Sequence, residues 1–394
     1  MRSLLRAALL SASLFLAACA TRTPTPPAPP PAPAPVPVPA PTPPPAPVVE
    51  NALRAGVVLA APASLDAAQS ERVLQAFRLS CPSLVKRPDS SGLTKGEDWR
   101  QLCSDAASLL PGQAQAFFRD RFEWARVGDG KAFATGYYEP EMRGSRTRIP
   151  GYDTPVYSTP TDLTRCTRPD GATGRGRIDE TGTCILYHDR AAIEDGALAG
   201  RGLEIAWVDD PVDLFVLHIQ GSGRLRLPDG NVMRIGYDNQ NGREYVGIGR
   251  LLRERNILPA GGATMQDITA WIRANPAEGR ALMRENLSYI FFKELTGPGP
   301  LGALGLPVTA RVSVAADPKF VPLGAPVFLA MERPEASGLW IAQDTGGAIK
   351  GANRFDTFWG AGEEATRIAG GMSAKGQALL LLPKGTVARA QAQP

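Results

Sequence analysis

Two histidines, His188 and His218, are all that the 394 residues contain. That scarcity works against an imidazole-built metal centre, and the five cysteines lack the close spacing of a zinc-thiolate site. No metal and no cofactor is expected. Charge is nearly balanced, with 43 basic and 39 acidic residues for a net +4. No dense Lys/Arg stripe interrupts that balance, so nucleic-acid binding has no support. No internal repeat recurs, and strand patterns do not alternate regularly with helical ones, which argues against a solenoid and a doubly wound sheet. No apolar run is long enough to span a bilayer as a helix.

What is present begins at the N-terminus. Arg2 and Arg6 precede the short apolar run "LLSASLFLAA", which stops at Cys19. This is the layout of a secretory signal rather than a structural helix. The stretch "LAAC", residues 16–19, resembles the bacterial lipoprotein processing site, so residues 1–19 read as a signal peptide and Cys19 as the lipidated residue. Ala20 follows it, as in lipoproteins sorted to the outer membrane. Residues 20–48 are almost wholly Pro and Ala with Val and Thr, a composition that favours extended polyproline II. At about 3.1 Å per residue it could hold a domain up to roughly 80 Å from its anchor. With Cys19 lipidated, four cysteines remain in an oxidising compartment, and three pairings are open. The nearest-neighbour choice is Cys81–Cys103 with Cys166–Cys184.

About 340 residues follow, enough for two domains. The stretch "PGQAQAFFRDRFEWARV" spaces Phe117, Phe118, Phe122 and Trp124 as on a helix. "TMQDITAWIRAN" opens with a capping box of Thr264 and Asp267 and sets Ile268, Trp271 and Ile272 on one face. "DLFVLHIQGSG" reads as a β-rich run, which puts His218 on a strand as a core residue. "RLRLPDGNVMRIGY" reads as a hairpin turning at Asp229-Gly230, and "VTARVSVA", "APVFLAM", "GLWIAQD" and "QALLLLP" read as short strands. The body is therefore mainly β with few helices.

The chemistry concentrates in "IAQDTGGAIKGANRFDTFWG", residues 341–360, where Asp344 and Asp356 flank a glycine-rich turn. A pepsin-like protease needs two such aspartates in matching Asp-Thr-Gly turns; Asp344 has that setting, but no glycine follows Thr357. "QGSGR" at 220–224 is not a nucleophile elbow, and nothing singles out triad partners for either histidine. Carboxylate chemistry in a groove is left.

Here the sequence resembles the membrane-bound lytic murein transglycosylase A family. The resemblance is carried by "TGYYEPEMRGSRTR" (135–148), "DLFVLHIQGSGRLRLPDGNVMRIGYDNQNGREYVGIGRLL" (213–252), "ENLSYIFFKE" (285–294), "ARVSVAADPKFVPLGAPVFL" (310–329) and the 341–360 stretch. The last two make up a module with three aspartates, Asp317, Asp344 and Asp356, at about 308–386. The resemblance implies a double-psi β-barrel assembled from residues 49–140 and 289–388, with a second β-domain, 141–288, inserted and a glycan groove between them. It implies an exo-acting lyase that cuts peptidoglycan without water, at the periplasmic face of the outer membrane of a Gram-negative bacterium. Any protein partners would come from cell-wall synthesis or division. Carried over position by position, Asp356 is the catalytic acid and Asp344 its support, while Asp317, before Pro318, reads as a turn-forming aspartate. Phe355, Phe358 and Trp359 would bury Asp356 and raise its pKa. Thr135, Tyr137, Tyr138, Gln220 and Ser222 are candidates for contact with the glycan strand. A noncatalytic wall-binding lipoprotein and a hydrolytic muramidase stand as alternatives.

Overall fold

The computed structural model describes residues 50–259 and 264–392. The expected signal peptide, Cys19 and the Pro/Ala stretch 20–48 lie outside the described residues. In chain order the first strands are β1 (Val57–Leu59), β2 (Phe122–Val127), β3 (Lys131–Glu139), β4 (Glu141–Ser145) and β5 (Thr154–Tyr157). Next come β6 (Thr164–Thr167), β7 (Thr173–Ile178), β8 (Cys184–Ile185), β9 (Glu204–Val208), β10 (Ser222–Arg226), β11 (Val232–Gln240) and β12 (Ile290–Glu294). The last are β13 (Ser313–Ala316), β14 (Pro326–Met331), β15 (Gly338–Asp344), β16 (Arg354–Ala361) and β17 (Ser373–Pro383).

Hydrogen bonding runs β17-β14-β15-β13-β16-β3, and β3 pairs back onto β17. Six strands thus close into a ring, while β2 and β1 extend the sheet from β17. Closure leaves these six strands without a free edge, which removes a template for aggregation. Strand alternation sorts the side chains. Ala134, Val314, Val327, Trp340, Ala342, Phe355, Trp359 and Leu380 fill the ring. The opposite rows of β15 and β17, with Leu339, Ile341 and Leu381, pack against the helices Ala67–Lys86, Gly96–Ser108 and Ala114–Asp120 through Phe77, Trp99, Phe117 and Phe118. Burying each such aromatic contributes about 1.5–3 kcal/mol. A disulfide between Cys81 and Cys103 joins the first two of these helices.

A second sheet has the order β12-β11-β10-β4-β9-β5. A single residue, Pro140, separates β3 of the ring from β4 of this sheet. Strands β6, β7 and β8 form a small third sheet, in which Cys166 of β6 is bonded to Cys184 of β8. The whole is sheet-rich, with its helices packed around the two larger sheets.

Several elements differ from their sequence reading. The run at 213–223 is not a strand: Pro211–Gln220 is a helix. Asp210 caps it by accepting from the amide of Val212, Pro211 opens it, and Gly221 ends it at φ 80°. Its β-branched and aromatic composition reflects burial on all sides, not strand geometry. His218 is therefore a buried helical residue, with Nδ1 3.0 Å from a guanidinium nitrogen of Arg190. Burial and that neighbouring cation hold its pKa well below the usual value. In 111–127 the helix stops at Asp120, so Phe122 and Trp124 belong to β2. The second ring segment does not begin at 289: β12 (Ile290–Glu294) pairs with β11 in the second sheet, so the chain returns to the ring only beyond 294. The helix Met265–Ala274 does carry the Thr264/Asp267 capping box, and β10 and β11 flank the Asp229-Gly230 turn.

Candidate active site

Strand β13 lies between β15 and β16, and one small residue on it, Ala315, pairs with Asp344 on one side and Asp356 on the other. The two aspartates are thus level, two strands apart, a backbone separation of about 9–10 Å. Strict alternation would turn Asp344 into the ring with Trp340 and Ala342. A register shift between Val314 and Ala315 prevents this and re-aims Asp344 beside Ala315. Beyond Asp356, the parallel pairing with β3 sets Thr135 opposite Asp356 and Tyr137 opposite Phe358. Tyr137, Val308, Ala315, Ile349 and Phe358 form a separate apolar floor under this row.

The hydrogen bonds distinguish the two acids. Thr135 donates its hydroxyl to Oδ1 of Asp356 at 2.6 Å and accepts from Arg354 at 2.9 Å. Oδ2 of Asp356 takes no hydrogen bond from the described residues. Asp344 is saturated: the amides of Ala303 and Thr345 donate to Oδ1 at 2.9 and 2.8 Å, and the Tyr137 hydroxyl donates to Oδ2 at 2.9 Å. Burial pushes the Asp356 carboxyl up to about 6, helped by the charge of Asp344 and opposed by Thr135 and Arg354. Burial also raises Asp344 to about 6, against its three donors. Tyr137, buried beside Asp344, stays neutral, its pKa well above the usual phenol value.

The loop between the acids is built for closeness. A Cβ on Gly346 would lie 2.7 Å from Cγ1 of Ile349, so only glycine lets the turn fold onto the floor. Asp317, buried, accepts from the amides of Lys319 and Gly351. It ties down this loop and touches neither acid.

Two family models match this architecture. One, described as the MltA specific insert domain, covers residues 133–293, and the other, the 3D domain, covers residues 312–382. The crystal structure of a membrane-bound lytic murein transglycosylase from Agrobacterium tumefaciens superposes with a TM-score of 0.76 at 31% identity, covering 85% of this chain and 99% of that one. The chain belongs to the membrane-bound lytic murein transglycosylase A family. MltA from Neisseria gonorrhoeae is 35% identical, with a TM-score of 0.67 over 84% of this chain and 93% of that one. Membrane-bound lytic murein transglycosylase A of Vibrio cholerae is 27% identical over 341 residues, 76% of this chain and 86% of the relative.

For this member of the transglycosylase A family, the geometry sorts the residues named from sequence. Asp344, Asp356, Thr135 and Tyr137 come together. Tyr138 turns to the other face of β3, where it lines a cavity of about 240 Å³ with Pro140, Asp213, Arg273 and Thr366. Gln220 accepts from the amide of Tyr138 at 2.9 Å, and Ser222 is buried in the second sheet; neither is bonded to the aspartate pair. Phe355 and Trp359 point into the ring, so of the three aromatics expected around Asp356 only Phe358 shares its face, and Tyr137 supplies the missing wall. Sequence reasoning missed Arg354, which donates to Thr135, and Ile349 of the floor. Arg354 stands two residues before Asp356 in "NRFDTF" and could have been found by asking which cation stands near the acid. Glu139 pairs with Arg224, Glu141 with Arg226 and Asp238 with Lys293, all outside this row.

Proposed function

We propose that this chain is a lytic transglycosylase that cleaves the β-1,4 bond between N-acetylmuramic acid and N-acetylglucosamine in peptidoglycan, with Asp356 as the single acid-base group. The observation that carries this reading is the Asp356 carboxyl: raised to about 6, held by Thr135 at one oxygen and, among the described residues, without a hydrogen bond at the other. A carboxylic acid in that state donates a proton near neutral pH. From Oδ2 the proton goes to the glycosidic oxygen as the bond to the muramyl C1 breaks. The carboxylate then takes the proton of the muramyl C6 hydroxyl while O6 closes onto C1. A 1,6-anhydro ring results, no water is consumed, and Asp356 ends protonated as it began. Because the nucleophile belongs to the same sugar, intramolecular proximity lowers the barrier by several kcal/mol (order of magnitude).

A hydrolase needs a second carboxylate, as nucleophile or as base for a water. Asp344 is the one candidate in the row, and its three donors favour a fixed, orienting role over proton abstraction. The closed ring supports a double-psi β-barrel formed by residues 49–140 and by the chain from beyond β12 to 388, with the second sheet, β12 included, as the insert and the glycan strand between the two. The sequence features at 1–48 support anchoring through Cys19 at the periplasmic face of the outer membrane, with the Pro/Ala segment as the tether.

The deciding experiment digests purified sacculi and weighs the soluble products. Ends lighter than a hydrolytic product by one water support the lyase. Products carrying that water mean a muramidase, and no release at all means a wall-binding protein.

A further inference from the structure

The loop at 241–247, between β11 and the helix Ile248–Glu254, is held more firmly than a connection requires. Asn241 is wholly buried. Its Nδ2 donates to the carbonyls of His188 and Leu287 at 2.9 Å each, and its Oδ1 accepts from the amides of Tyr289 at 3.0 Å and Arg243 at 3.3 Å. A second buried amide, Asn286, accepts from the amide of Val246 at 3.1 Å. Gly242 sits at φ 78°, and a Cβ there would lie 2.7 Å from the carbonyl oxygen of Arg175. Two buried side-chain amides and an obligatory glycine thus fix one short loop from both ends, which is how a group is pre-organised for contact.

What the loop carries is Tyr245. Its side chain reaches the ring's acidic turn: a Cβ on Gly347, three residues after Asp344, would lie 3.4 Å from Cβ of Tyr245. The phenol is partly buried, and the charges of both Asp356 and Arg354 reach it. Burial, with the Asp356 charge, keeps it neutral, so the hydroxyl can both donate and accept. Yet the hydroxyl makes no hydrogen bond among the described residues. A half-buried tyrosine hydroxyl of this kind is open to a partner from outside the protein. Its packing on the acidic turn and the Asp356 charge that reaches it put the place for that partner near the acid.

We propose that Tyr245 is a substrate-contacting residue, whose hydroxyl hydrogen-bonds the sugar seated over Asp356. The loop makes it the contribution of the second sheet to the wall facing the acids. The assignment rests on reading the site as a glycan-cleaving centre. Tyr245 moves no proton in the cycle; it holds the ring whose bond breaks.

Tyr245→Phe keeps the aromatic ring on Gly347 and deletes only the hydroxyl. In full-length Asp356→Asn protein, expected to bind without turning over, adding Tyr245→Phe should weaken binding of the N-acetylglucosamine hexamer by about 3–10-fold, one neutral hydrogen bond. In otherwise wild-type protein it should lower sacculus turnover by at least the same factor, with the melting temperature unchanged. Affinity within twofold overturns the proposal. So does a fall in turnover at unchanged affinity, since the hydroxyl would then act on Asp356 and not on the sugar. Failure of the lyase reading would show separately, as the lack of anhydro ends in wild-type products, and leaves the binding result standing.

Discussion

Replacing Asp356 by Asn keeps the side-chain shape and the acceptor for Thr135 while deleting a buried titrating group. In the fold the carboxyl is raised from 3.8 to about 6, chiefly by burial. As pH rises past the lower value, the unfolded chain loses its proton first, so the native state binds more protons and its stability falls with pH. The penalty is absent below about pH 4 and complete above about pH 6–7. Two pKa units correspond to about 3 kcal/mol; the side chain keeps an accessible edge, so about 1–3 kcal/mol is the expected range. Asn carries no such penalty. The difference in melting temperature, variant minus wild type, should therefore grow from pH 4 to pH 8 by roughly 1–4 °C. Asp344 titrates in both proteins and cancels to first order. Over the same range the variant should lose about 10²–10⁴-fold of its sacculus turnover or more, because one group serves both proton transfers. Scanning calorimetry or fluorescence melts at half-unit pH steps give the first quantity, and release of soluble muropeptides gives the second. A difference that is flat or shrinks with pH refutes the raised carboxyl. A folded Asp356→Asn protein with near-wild-type turnover refutes the assignment of the acid.

Thr135→Val removes a hydrogen bond that lowers the Asp356 pKa, so the alkaline limb of the pH–rate profile should move to higher pH, with turnover down about 10-fold; a limb that stays or moves down contradicts the Thr135 role. Asp344→Asn should cost less turnover than Asp356→Asn, and Glu141→Gln and Asp238→Asn should stay close to wild type in muropeptide release; complete loss in either of the last two, in folded protein, would relocate the acid. Cys19→Ala should shift the protein from the membrane fraction to the soluble one on fractionation, with the folded body still active. Thiol titration of the denatured, unreduced body should find no free thiol from Cys81, Cys103, Cys166 or Cys184, and reduction should cost about 2–4 kcal/mol per bridge, read by denaturant titration.

Local chemistry was legible without coordinates. Asp344 and Asp356 stand out because a glycine-rich turn between β-rich runs is where a chain can bring two acids close. The Thr264/Asp267 cap and the Asp229-Gly230 hairpin are written in neighbouring residues, and so is the turn-forming Asp317. The helix Pro211–Gln220 shows the limit: its apolar residues on every side imitate a buried strand, and the signals that settle it, Asp210-Pro211 before and Gly221 after, flank the run. The strand at 122–127 was hidden for a related reason, since aromatics at four- and seven-residue spacing fit a helix until Arg121 ends it. What tertiary structure alone decided is which side each residue faces and what lies across from it. Phe355 and Trp359 neighbour Asp356 in sequence but turn into the ring, because strand alternation sends adjacent residues to opposite faces. Tyr137 lies 207 residues from Asp344 and reaches it only because β3 pairs with β16 around a closed ring. The one-residue register shift beside Ala315, which turns Asp344 outward to stand level with Asp356, has no signature in the sequence, because a bulge is fixed by the pairing of three strands and not by any one of them.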